Sequence, residues 1–185
     1  ADLYDRPGGL YVDPDGRDGV TALRLLMVDE TSRIEPDRAV WLAEGELGNT
    51  DDGPALTTRV LCVCVGNISR SPMMAALLAR HLGDEYVVES AGLDEHLAGR
   101  PANHRSVTCM DERGIDLRGH RSRWVGDVGL GSFGWIVCVG GDEADQVRAT
   151  LGRQRIDGPT VLVANEDGGG VPDPYDHGLA GYRAC

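Results

Sequence analysis

The sequence predicts an α/β fold in which a parallel sheet is covered by helices on both faces. Two observations predict it. Short, apolar, β-branched runs of strand length recur from residue 59 onward, and helical patterns alternate with them. In chain order, residues 59–65 (RVLCVCV) suit a strand buried on both faces. Ser71 can then cap a helix, Pro72 fits its first position, and Met74, Leu77, Leu78 and Leu82 recur at helical spacing across residues 72–82. A second strand follows at residues 86–91, a second helix at 102–113, a third strand at 134–139 and a third helix at 142–152. The last strand lies at 159–164, and the Gly-rich stretch 126–134 interrupts a weaker helical pattern. In such folds ligands bind at the carboxyl ends of the strands. Cys64 lies at such an end.

Residues 1–57 precede this alternation and form an N-terminal appendage of unknown role, with residues 58–185 as the main domain. The appendage holds two apolar stretches, residues 20–28 and 39–47, separated by Glu35-Pro36-Asp37 and followed by a polar linker at 48–54. Helix and strand are both open for each stretch. A packed appendage that shapes the pocket mouth or makes a homodimer contact, and a loosely attached arm, are equally open.

Composition narrows the function class. The net charge of −12 argues against nucleic acid or an anionic membrane as partner, because both reward basic patches. All 18 basic residues are Arg and none is Lys, which excludes a catalytic lysine. Five cysteines show no disulfide or zinc spacing, there is no secretory apolar core near residue 1, and no apolar run approaches membrane-spanning length. The cytoplasm is the expected compartment. Cys62, Cys109 and Cys138 lie in apolar patterns, so burial is the default for them.

The chemistry concentrates in residues 64–72 (CVGNISRSP), between the first strand and the first helix. A Cys with an Arg six positions later is a weak signal alone; the strand-loop-helix context strengthens it. Successive backbone N–H groups from Val65, Gly66, Asn67, Ile68 and Ser69, with a helix N-terminus behind them, form a nest for an oxyanion. Arg70 adds a planar fork that can grip two phosphate oxygens and spread charge in the transition state. The same positive surroundings favour a thiolate at Cys64, and the Ser71 hydroxyl can hydrogen-bond that sulfur.

The run 64–72 resembles the signature loop of the low-molecular-weight protein tyrosine phosphatases. The resemblance covers about residues 59–185 and includes Ser90-Ala91-Gly92, then Gly114-Ile115 with His120 and Arg123, and finally residues 171–176 (VPDPYD), which resemble the loop carrying the general acid. It implies a three-layer α/β fold with a four-stranded sheet in the order 2-1-3-4. It further implies Cys64 as nucleophile, Arg70 as phosphate binder and Asp173 as acid, then base, through a phosphocysteine intermediate. Asn67, Ser71, Ser90 and His120 match the polar network that holds the family's loop. No metal or organic cofactor is required by that scheme, and phosphotyrosine in protein is the family's default substrate.

Three departures qualify the comparison. The family's nucleophile normally lies within about a dozen residues of the start, whereas here 63 residues precede Cys64 and residues 1–57 are an extra segment; the sequence also stops where the family continues into a long final helix, of which only the first turns are expected. The pocket walls also differ: His96 stands at the expected rim position and Asp176 where a second Tyr is usual, with Tyr175 kept as an aromatic wall. A small phosphomonoester, such as a sugar or nucleoside phosphate, is therefore a rival substrate whose hydroxyls His96 and Asp176 could bond. Ser69 replaces the second Cys that many members use to trap the nucleophile as a disulfide, so that protection is expected to be absent. An arsenate reductase and a non-catalytic phosphate-binding module are the remaining alternatives. The first lacks a compact partner pair of cysteines, and the second would not need Asp173.

Overall fold

The computed structural model describes residues 11–12, 23–24, 58–82, 86–164 and 170–185. The chain falls into two units, Ala1–Leu56 and Thr57–Cys185. In the first, strand β1 (Tyr11–Val12) pairs antiparallel with β2 (Leu23–Arg24). Apart from this short ladder, the appendage and its expected apolar stretches lie outside the described residues.

The second unit alternates strand and helix as expected. Its elements are β3 (Thr58–Cys64), α1 (Arg70–Leu82), β4 (Tyr86–Gly92), α2 (His104–Asp111), β5 (Trp135–Cys138), α3 (Gly141–Gln154), β6 (Thr160–Val163) and α4 (Gly178–Ala184). The four strands are parallel in the order β4-β3-β5-β6, which is 2-1-3-4 in this unit's own sequence order. Two 3-10 turns, Val125–Asp127 and Leu130–Ser132, occupy the interrupted stretch around residues 126–134.

Two apolar clusters explain the layers. Leu61 and Val63 of β3 pack with Ile136 and Cys138 of β5, with Ala144, Val147 and Leu151 of α3, and with Val125, Leu130 and Phe133. Each fully buried aliphatic of this size stabilises the fold by about 1.5–3 kcal/mol. Met73 of α1, Cys109 and Met110 of α2 and Tyr182 of α4 form the second cluster. Strand alternation turns Cys62 and Cys64 away from Leu61 and Val63, toward the face that carries α1. Burial pushes the Cys62 thiol far up, and the Cys138 thiol up to about 12. Both behave as packing groups.

One local expectation gave way. Helix α1 begins at Arg70, so Ser71 lies inside it and does not cap it. Its hydroxyl turns inward to the loop, where Cys64 and Asn67 are better partners than a backbone amide. Pro72 still sits in the first turn, where an N–H has no intrahelical acceptor to lose. Among the described residues, no helix is long and apolar enough to cross a membrane.

Candidate active site

The site is built where β3 ends and the chain curls from Cys64 to Arg70. Asn67 is its pivot. This residue has φ 52°, a left-handed backbone that Asn tolerates better than most side chains, and it is fully buried. Its backbone N–H donates to Cys64 Sγ at 3.2 Å, and its Nδ2 donates to Ser71 Oγ at 2.9 Å. Its Oδ1 accepts the Arg123 backbone N–H at 2.9 Å, and its carbonyl lies 2.7 Å from His120 Nε2. Four interactions on one buried side chain and backbone hold the loop in a shape that its own φ disfavours. Ser71 Oγ completes the surroundings of the sulfur, 3.0 Å from Cys64 Sγ.

Neighbouring segments clamp the loop from outside. The Leu93 and Asp94 amides donate to the carbonyls of Cys64 and Val65, and the Asn103 amide donates to that of Ile68. The approach of β4 is close enough that a Cβ on Gly92 would lie 2.8 Å from the Val65 carbonyl oxygen and 2.9 Å from the Asn67 nitrogen. Real Cβ atoms do not come so near, which gives the Ser90-Ala91-Gly92 run its physical meaning. Ser90 enters the network through its carbonyl, which accepts from Arg123 Nε and Nη2, and Ala91 offers its carbonyl to the Ser71 hydroxyl. Ser69 Oγ meets the Tyr182 hydroxyl of α4 at 3.2 Å, so the serine that replaces the family's second Cys has a buried partner.

Arg70 and Asp173 meet, although they lie far apart in sequence. Arg70 Nη2 donates to Asp173 Oδ2 at 2.8 Å, and Nη1 donates to the Val171 carbonyl at 3.2 Å. Nη2 is also 3.8 Å from Glu143 Oε1. Asp173 Oδ1 accepts the Tyr175 amide, and Arg105 Nη1 donates to the Tyr175 carbonyl at 3.1 Å, tying the acid segment to α2. Of the expected walls, Tyr175 and Asp176 are exposed beside Asp173. His96 is exposed in a 3-10 turn (Glu95–Leu97), and the side chain that reaches the loop is its neighbour Leu97. A Cβ on Gly66 would lie 2.7 Å from Leu97 Cδ1. Among the described residues, no group of three or more His, Cys, Asp or Glu converges as a metal site.

Residues 59–185 match the family model described as low molecular weight phosphotyrosine protein phosphatase. The chain belongs to that family. A low molecular weight protein-tyrosine-phosphatase, Ptp, of Acinetobacter johnsonii is 29% identical over 121 residues, which are 65% of this chain and 82% of that protein. The low molecular weight phosphotyrosine protein phosphatase of Sus scrofa is 30% identical over 89 residues, 45% of this chain. This match spans only 56% of the pig protein. Among solved structures, the YwlE arginine phosphatase of Geobacillus stearothermophilus superposes with a TM-score of 0.58 at 27% identity, covering 69% of this chain and 82% of that one. The low molecular weight phosphatases are cysteine-dependent phosphatases, and the fold and loop described above agree with that membership.

Sequence reasoning missed Leu97, Glu143, Tyr182 and Arg105. Each reaches the site only through tertiary packing, and none stands in a motif. His120 illustrates the opposite case. Its burial is the main influence and holds the imidazole below its usual pKa of 6.5; Arg123 and Arg121 act in the same direction, while the bond to the Asn67 carbonyl opposes them. That carbonyl can only accept, so Nε2 carries the hydrogen. With the native pKa below the unfolded one, the unfolded chain binds more protons between the two values. The stability contributed by neutral His120 is therefore complete above about pH 6.5 and is lost as pH falls through the lower native value. Urea midpoints measured from pH 7.5 to 5 are expected to fall for the wild type, and to fall less steeply for His120→Asn. Parallel slopes would refute this role.

Proposed function

We propose that this chain hydrolyses phosphomonoesters through a phosphocysteine on Cys64, and that its preferred leaving group is the aryl oxygen of phosphotyrosine. The observation that carries the reading is the convergence of Cys64, the curled loop amides, Arg70 and Asp173 on one end of β3. In the first step, Cys64 Sγ attacks phosphorus as the P–O bond to the leaving group breaks. The Asp173 carboxyl gives its proton to the departing oxygen. In the second step a water attacks the phosphocysteine and passes a proton to the Asp173 carboxylate. The S–P bond breaks, the thiolate returns and inorganic phosphate leaves.

The loop donors serve both steps. The Asn67 amide donates to the sulfur at 3.2 Å, and the Ser71 hydroxyl, 3.0 Å away, can turn its one hydrogen from the Ala91 carbonyl to the sulfur, so that both hold the negative charge that returns to it. Arg70 carries the equatorial phosphoryl oxygens through the N–H groups of its fork that the Asp173 and Val171 contacts leave unused. The walls support the aryl preference. Three large apolar side chains are exposed among the described residues, and two of them belong to this site: Val65 at 44% in the loop and Tyr175 at 56% beside the acid. An apolar rim rewards a ring more than a sugar. The cytoplasm, where thiols stay reduced, suits such a nucleophile.

Comparing kcat/KM on a phosphotyrosine peptide, a hexose phosphate and a nucleoside monophosphate tests the substrate class. An advantage of about 10-fold or more for the peptide is expected from one good aromatic contact together with apolar burial. Equal or higher values on the sugar or nucleoside phosphate would overturn the phosphotyrosine assignment in favour of a small metabolite.

A further inference from the structure

Glu143 is a charged side chain on the third residue of α3, yet it is buried. Its side chain is only 10% exposed and its carboxylate faces the guanidinium of Arg70, whose side chain is 12% exposed, with Oε1 3.8 Å from Nη2. That distance is an ion-pair contact and not a hydrogen bond. The second carboxylate on the same nitrogen, Asp173, is 57% exposed and lies on the segment that follows residue 170. Arg70 Nη2 is thus shared between a buried carboxylate on a helix and an exposed one on a loop.

We infer that Glu143 is a positioning residue that keeps the Arg70 fork aimed at the phosphate cradle when Asp173 leaves it to protonate the departing oxygen. The inference rests on the mechanism proposed above. Asp173 cannot hold Arg70 and serve the leaving group with the same oxygen, so the fork needs a second anchor that does not move with the acid. Glu143 supplies it from a regular helix whose first apolar residues, Ala144 and Val147, are fully buried against the sheet. A buried carboxylate with no charge partner would be expensive, and the Arg70 guanidinium is the charge that offsets this one.

The opposing interpretation is that Glu143 only serves the start of α3. Gly140, the residue before the helix, makes no side-chain cap bond, and glutamate at the third helical position is a common capping choice. The geometry offers a way to separate the two. A Cβ built on Gly140 would lie 2.7 Å from Glu143 Oε2, so a carboxylate mounted at position 140 would occupy the space that the Glu143 carboxylate now fills. The backbone there, with φ −159°, accepts any residue. Asp and Asn cap helices about equally, and only Asp carries charge.

The experiment compares the wild type with Glu143→Gln, Glu143→Ala, Glu143→Ala/Gly140→Asp and Glu143→Ala/Gly140→Asn. It reads kcat and KM on p-nitrophenyl phosphate, the melting temperature, and orthovanadate binding by calorimetry. Glu143→Ala is expected to lower kcat by about 10²-fold with little change in KM, the loss that a displaced catalytic group typically causes. Glu143→Gln, which keeps the shape, should act in the same direction. Orthovanadate, which takes the five-coordinate geometry of the transition state, should bind at least about 10-fold more weakly to both single variants. Removing a nearby negative charge would by itself tighten an anion, so weaker binding reports a misplaced fork. Gly140→Asp should restore kcat and vanadate binding in the Glu143→Ala background, and Gly140→Asn should not. Tighter vanadate, unchanged kcat, no rescue by Asp, or equal rescue by Asn would each overturn the inference. Because the vanadate titration needs no turnover, an inactive wild type that binds vanadate would count against the proposed hydrolysis while still testing Glu143.

Discussion

Cys64→Ser is expected to abolish hydrolysis of p-nitrophenyl phosphate while leaving phosphate-ester binding in place. A loss of at least about 10⁴-fold in kcat follows from the surroundings of the sulfur. A serine hydroxyl must lose a proton to attack phosphorus, and a base must receive it. Among the described residues, the partners of Cys64 Sγ are the Asn67 amide and the Ser71 hydroxyl, and neither is a base. A thiol needs no such partner, because it ionises in a range that a hydroxyl does not reach. Binding survives because the loop is shaped by Asn67, His120 and Arg123, none of which depends on the sulfur for its other contacts. Steady-state assays together with calorimetry on a phosphate ester check both halves. Hydrolysis within about 10-fold of the wild type would remove Cys64 from its role.

The second large effect is expected at Asp173. Asp173→Asn keeps the shape and can still contact Arg70, but it has no proton to give. With phenyl phosphate, whose leaving group is a poor one, kcat should fall by about 10²- to 10⁴-fold. With p-nitrophenyl phosphate the loss should be much smaller, since that phenolate departs without help. The ratio between the two substrates is the diagnostic. Equal losses would mean that Asp173 acts through Arg70 alone and not as the acid. Stability should move by less than about 1 kcal/mol, because the Asp173 side chain is more than half exposed and its pair with Arg70 is screened.

What the sequence makes legible follows from how each feature is encoded. The strands β3 and β5 are apolar, β-branched and buried, so their runs identify them without tertiary knowledge. The loop announces itself because strand, glycine, arginine and helix start are contiguous in the chain. The capping rule places Ser71 at a helix start, and Ser71 loses that role because a sulfur and an amide inside the loop compete for its hydroxyl. Position along the chain favours His96 over Leu97 as the rim residue, since a one-residue difference in a 3-10 turn decides which side chain faces Gly66. Glu143 has the sequence appearance of an ordinary acidic residue in a helix's first turn. Its burial is a property of where β5 and α3 deliver it, and no local pattern carries that information.

The bond between Ser69 and Tyr182 joins residues separated by 113 positions, and that between Arg70 and Asp173 spans 103. Both close loops that enclose nearly the whole second unit, β4, β5 and β6 included. Closing long loops of this kind costs chain entropy and slows folding. Catalytic competence is thus a property of the whole unit, because the contacts that complete the site join its first elements to its last ones.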